Sequence, residues 1–196
     1  MHKTWDIVAI VGSLRRDSFT RRLVRSFDRL LPATVGIEIV GIGELPFYNQ
    51  DMEASPPTAW TEFRKRIKRA DAVLFATPEY NRSVPGVLKN AIDVGSRPYG
   101  SSVWAGKPAA IVSTSPGAMG GFGANHHLRQ ALVCLDMPTM QQPEAYLGGA
   151  DKLVDSDGQF LNPVTRDFCV MFLQTFESWI RRQTAGFEIY SYSEPR

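Results

Sequence analysis

Residues 78–93 read Pro-Glu-Tyr-Asn-Arg-Ser-Val-Pro-Gly-Val-Leu-Lys-Asn-Ala-Ile-Asp and follow the apolar run 72–76 after Thr77. Behind Pro78, which restricts the backbone, Glu79, Tyr80, Asn81 and Arg82 present a carboxylate, an aromatic face, an amide and a guanidinium in succession. A constrained loop of this kind offers flat contact to a planar ring and polar groups to its edge. The same residues would also serve as an ordinary strand-to-helix turn in which Tyr80 covers the core. A second loop, Gly12-Ser13-Leu14-Arg15-Arg16-Asp17-Ser18, stands between an apolar run at 7–11 and a helical pattern. A helix start exposes free backbone N–H groups and the positive end of its dipole, which suits a phosphate. Ser13 and Ser18 add hydroxyl donors, and Arg15 or Arg16 adds charge and a planar donor fork. The loop contains neither Gly-x-Gly-x-x-Gly nor Gly-Lys-Ser/Thr, which argues against a Rossmann dinucleotide site and a P-loop. Taken alone, Ser18 serves equally well as a plain helix N-cap. The third loop, 113–121, is rich in glycine, which permits close backbone approach to a ligand and also serves simple turns.

These loops need strands and helices to hold them. Residues 7–11 and 72–76 are short apolar runs, as expected of strands buried on both faces. A helix is expected over 18–31, with Phe19, Leu23, Val24, Phe27, Leu30 and Leu31 at helical spacing and Pro32 as its stop. Further strands are expected at 36–42, 108–113 and 139–142, and further helices at 58–70, 84–95, 124–135 and 165–182. Ser83 and Pro85 suit the cap and first turn of the helix that begins near 84. The tail after Gly186 reads as loosely attached. Strand–helix units of this length imply right-handed crossovers and a parallel sheet covered on both faces. The expected fold is α/β: a flavodoxin-like three-layer sandwich, one domain over 1–196, with a five-stranded parallel sheet of order 2-1-3-4-5. Its ligand crevice would lie between strands one and three, from which the first two loops emerge.

The segment 78–93 closely resembles the signature of the NADPH-dependent FMN reductase family, in its quinone and chromate reductase branch, and 12–18 resembles that family's phosphate loop. The resemblance implies FMN, bound tightly without a covalent link, with NADPH or NADH as co-substrate. Its candidate contacts are Ser13, Arg15, Ser18, Phe19 and Thr20 in the first loop, Pro78, Glu79, Tyr80, Asn81 and Arg82 in the second, and Ser115 and Gly117 in the third. The implied reaction is ping-pong reduction of quinones, chromate or related acceptors, with no catalytic acid or base. Relatives are dimers or tetramers whose pockets a neighbouring subunit completes, so a homodimer or homotetramer is implied here. Three positions depart from the family pattern: Thr20 stands where Asn is frequent, Arg82 where a second Tyr is frequent, and Gly123 where Arg is frequent.

Composition sets the remaining bounds. The 196 residues suffice for one well-buried core, and 43% apolar with 21% charged residues is ordinary globular usage. A net charge of +2, from 22 basic and 20 acidic side chains, gives no mandate for a nucleic-acid partner. The dense groups Arg21, Arg22, Arg25 and Arg64, Lys65, Arg66, Lys68, Arg69 read as solvated helix faces. Cys134 and Cys169 lack paired spacing and read as small buried hydrophobes of a reducing compartment. His126 and His127 are adjacent on a helix and cannot share a metal as an i, i+4 pair would, so they read as surface or interface residues. Without an apolar leader or a membrane-length run, a cytoplasmic location and no membrane partner are expected. Two other function classes compete with the reductase: a flavodoxin-type electron carrier without turnover, and a regulatory protein that has kept the fold and lost the flavin. Such carriers are strongly acidic, which this chain is not.

Overall fold

The structure is a computed structural model that describes residues 4–186. Five parallel strands, β1 (Trp5–Val11), β2 (Val35–Val40), β3 (Ala72–Pro78), β4 (Ala109–Thr114) and β5 (Ala145–Leu147), form one sheet of order β2-β1-β3-β4-β5. Among the described residues four α-helices connect them, α1 (Phe19–Ser26), α2 (Thr58–Arg69), α3 (Gly86–Gly95) and α4 (Phe122–Cys134), and α5 (Pro163–Gly186) follows the last strand. Alternate side chains of the central strands enter two separate cores. Ile7, Ala9, Val11, Leu74 and Ala76 meet Leu23, Phe27, Phe172 and Phe176 of the α1–α5 layer. Val8, Ile10, Val73 and Phe75 meet Trp60, Phe63, Leu88 and Leu132 of the α2–α3–α4 layer. The three-layer sandwich expected from the sequence is the fold observed.

The strands that hold the site pair in tight register. Val11 lies opposite Ala76, Thr77 opposite Ser113, and Pro78 opposite Thr114. The loops that leave β1, β3 and β4 therefore emerge side by side at one edge of the sheet.

Several boundaries differ from the sequence expectation. The first helix stops at Ser26, whose hydroxyl donates to Leu23 O at 2.6 Å, and the chain tightens into a 3₁₀ turn over Phe27–Arg29. The fifth strand lies at Ala145–Leu147, not at 139–142. Thr139 makes one isolated bridge to Ala109 at the start of β4. Pro143, which has no N–H to donate, follows within four residues, so the ladder with Val112, Ser113 and Thr114 begins only beyond it. Cys169 is buried as expected, but Cys134 is exposed. The buried stripe of α4 runs through Ala124, Asn125, Leu128 and Leu132, which leaves Cys134 on the outer face. The tail beyond Gly186 lies outside the described residues.

Candidate functional site

The first loop is built around its two serines. Ser18, only 4% exposed, takes extended backbone angles and accepts the Arg21 N–H at 3.2 Å, so it is the N-cap of α1. Capping satisfies one amide and leaves the others of the first turn open, with no acidic residue among that turn's side chains. Ser13, 3% exposed, has the long 3.4 Å contact from Arg15 N as its hydrogen bond. The Arg15 guanidinium packs over the Phe19 ring at 5.3 Å, held beside the helix start although its own residue is exposed. The Thr20 hydroxyl is not free: it shares a 2.9 Å bond with Thr114 Oγ1 and ties α1 to the end of β4.

In the second loop Asn81 and Arg82 both take left-handed backbone angles, φ 50° and 65°. They form the corner of a tight turn closed by Tyr80 N–H to Ser83 O at 2.9 Å and Ser83 N–H to Tyr80 O at 3.0 Å. For an arginine this conformation is strained, at roughly 1–3 kcal/mol. Glu79 offsets part of that strain. Its carboxylate accepts the Ala124 N–H at 3.0 Å and meets Arg82 Nη1 at 3.3 Å. The N-cap position of α4 is Gly121, which brings no side-chain acceptor, so Glu79 caps that helix from another segment. Gly123 makes room for the arrangement. A Cβ there would stand 2.5 Å from Arg82 Cδ and 2.9 Å from both Arg82 O and Glu79 Oε2.

Ser83 is not the cap of α3. That place falls to Pro85, which offers no side-chain bond, and Ser83 Oγ instead shares a proton with His127 Nδ1 at 2.7 Å. His126 Nε2 meets the Tyr146 phenol at 2.8 Å; burial pushes that phenol's pKa up to about 12, so it keeps its proton at neutral pH. His126 and His127 thus each have a bonding role within the chain. In the third loop Gly120 and Gly121 take φ 57° and 78°, and a side chain on Gly120 would run into the Tyr146 backbone.

Together the loops enclose a cavity of about 220 Å³ at the carboxyl ends of β1, β3 and β4. Nine of the twelve residues that the sequence nominated line it: Ser13, Arg15, Ser18, Phe19, Thr20, Pro78, Glu79, Tyr80 and Ser115. Asn81, Arg82 and Gly117 lie beyond its wall. Thr114, Pro116 and Ala150 complete the lining and were not nominated. Thr114 and Pro116 flank Ser115, so their adjacency was a usable signal. Ala150 arrives through its N–H to Ser115 O at 3.0 Å and follows β5, whose position the sequence misplaced. Chemically the site offers hydroxyls, open amides and a guanidinium at one end, and Pro78, Tyr80 and Pro116 as flat contacts at the other. It suits an anionic group attached to a planar ring.

A sequence model of the NADPH-dependent FMN reductase family matches residues 5–152. A quinone reductase of Pseudomonas putida is 57% identical over 186 residues, 94% of this chain and 100% of that protein. A 2-hydroxy-1,4-benzoquinone reductase of a Burkholderia species is 44% identical over 175 residues, 89% of this chain and 96% of that protein. Among solved structures, the flavoenzyme NAD(P)H:(acceptor) oxidoreductase FerB of Paracoccus denitrificans superposes with a TM-score of 0.88 at 38% identity, over 92% of this chain and 99% of that one.

The crowding around Gly123 is directly testable. Gly123→Ala should push the 81–82 turn outward and loosen the Glu79 cap, costing about 1–3 kcal/mol. Urea unfolding measures this, and an unchanged midpoint would mean that the turn yields freely.

Proposed function

The chain belongs to the NADPH-dependent FMN reductase family, and on that premise we propose that the cavity at the start of α1 is its FMN site, open beside Tyr80 to NAD(P)H and a quinone in turn. The protein is an FMN-dependent oxidoreductase that takes electrons from NAD(P)H and reduces quinones. FMN, when bound, would supply the two-electron redox chemistry between the reduced nicotinamide and the quinone.

One observation carries the assignment of the site: two buried serine hydroxyls and the open first turn of a helix converge on a single cavity where adjacent parallel strands end. These residues fit the cofactor. Ser13, Ser18, the first amides of α1 and Arg15 form a donor set for a phosphate monoester, and no acidic side chain of that turn opposes it. Phe19, Pro78, Tyr80 and Pro116 supply apolar contact for the remainder. Thr20 and Thr114 hold the two walls together, a structural duty within the site. We assign no catalytic acid or base. Tyr80, 46% exposed, marks the open side, with the exposed Arg82 beside it.

A cytoplasmic homo-oligomer is part of the same reading. No helix among the described residues is long and apolar enough to cross a membrane. Phe47 and Tyr99 stand 79% and 90% exposed on loops, as aromatic residues do where a second subunit packs.

The purified protein should carry about one FMN per chain, released by acid precipitation, and should consume NAD(P)H when a quinone is supplied. Because donor and acceptor share one opening, double-reciprocal plots at several quinone concentrations should be parallel. Recovery of FAD, no flavin after reconstitution, or intersecting lines would overturn the reading.

Arg15→Ala removes a charge-assisted contact of roughly 1.5–3 kcal/mol, so FMN affinity should fall about 10- to 150-fold. Riboflavin, which lacks the phosphate, should bind almost as before. Equal losses for both would make Arg15 a structural residue.

Chromate is a further acceptor on this reading, drawn to Arg82. That guanidinium is already paired with Glu79 and its side chain is 68% exposed, so its pull is modest and screened by salt. Arg82→Gln should lower kcat/KM about 2- to 10-fold for chromate and less for a neutral quinone, with the gap closing as ionic strength rises. Equal losses for both acceptors would remove Arg82 from acceptor selection.

A further inference from the structure

The helix that begins at the FMN cavity carries a feature that quinone reduction leaves unused. Arg16, Arg21, Arg22, Arg25 and Arg29 line a second concavity, about 590 Å³, against the turn at 156–158. Ser18 lines both hollows, so the two adjoin at the N-terminus of α1.

Like charges spaced as Arg21–Arg25, Arg22–Arg25 and Arg25–Arg29 repel along a helix. Several arginines elsewhere are neutralised by carboxylates: Arg66 by Asp6 and Glu38, Arg97 by Glu53, and Arg181 by Glu177. Among the described residues none of the five around this concavity has an ion pair. Asp17, Asp28 and Asp157 also line it, yet the guanidiniums outnumber them and no carboxylate comes within pairing distance. The Ser26 hydroxyl is spent on Leu23 O and Ser18 belongs to the FMN cavity, so recognition falls to the guanidinium forks. Arg22 is steadied over the Phe19 ring at 5.7 Å. A volume near 590 Å³ lies within the range of about 300–1,000 Å³ that small-molecule sites occupy.

We propose that this arginine-lined groove binds a multiply charged phosphate of nucleotide size, held by Arg21, Arg22 and Arg25. A guanidinium presents two parallel N–H donors to phosphate oxygens and keeps its charge at any physiological pH. A bound polyanion would also relieve the repulsion along α1. Two sources share this chemistry. One is the adenosine-phosphate end of the electron donor, which rests on the reductase reading above. The other is a free nucleotide or polyphosphate that binds independently of turnover.

The experiment uses the full-length, FMN-loaded protein and isothermal titration with 2′,5′-ADP and with pyrophosphate. Wild type is compared with Arg21→Gln/Arg25→Gln, neither of which removes a buried side chain, and with Arg25→Glu. Both probes should bind, and both variants should weaken binding about tenfold or more while flavin content stays unchanged. Binding should also weaken as salt rises from about 50 to about 300 mM. If 2′,5′-ADP competes with NADPH, and the double variant raises KM for NADPH but not for NADH, the ligand is the donor. If it binds without competing, the groove is an independent site. Absence of binding by both probes, or equal binding to wild type and variants, overturns the proposal. A protein that fails to retain FMN would instead indict the cofactor assignment.

Discussion

The pairing of β1, β3 and β4 is the constraint on which everything at the site depends. Buried on both faces, these strands have no freedom to slip, because a shift of one residue would send each apolar side chain into the wrong core. The register that results sets Gly12, Pro78 and Ser115 at the ends of neighbouring strands. Gly12 N–H donates to Ala76 O at 2.8 Å and extends the ladder into the first loop. The cavity proposed for FMN thus arises from three segments far apart in sequence, with no element dedicated to joining them.

Glu79 is the electrostatic counterpart of that constraint. Its carboxylate is largely shielded, with its side chain 15% exposed, and it answers two demands at once: the positive end of α4 and the guanidinium of Arg82. This explains how an arginine persists in a left-handed corner that would favour asparagine or glycine. It also makes the second loop and the fourth helix one mechanical unit, to which Ser83 and His127 add a further link.

Much of this was legible in the chain. Continuous apolar runs bounded by polar loops read directly as the central strands, and the grouping of Ser13, Arg15 and Ser18 at a helix start is legible because that geometry is local. What stayed hidden depends on distant partners. The fifth strand could not be placed, since the prolines around 138–143 obscure where pairing resumes, and Ala150 was lost with it. Nothing local reveals that Thr20 also shares a hydrogen bond with Thr114, which ties α1 to the end of β4. Cys134 looked buried because α4 is apolar on more of its surface than it inserts; Val133 next to it is 76% exposed. The Glu79–Arg82–Gly123 contact joins positions some forty residues apart, and no periodicity announces it.

That contact has an evolutionary meaning. Of the three positions that the resemblance marks as departures, Arg82 and Gly123 fall on one point in space. The Arg82 side chain crosses the volume that any residue larger than glycine would need at 123. Neither position is therefore free to drift alone: a lineage that regains a side chain at 123 must surrender the conformation at 82, and one that loses Arg82 relaxes the demand for glycine. Arginine in this conformation at 82 and glycine at 123 should therefore appear or vanish together across relatives.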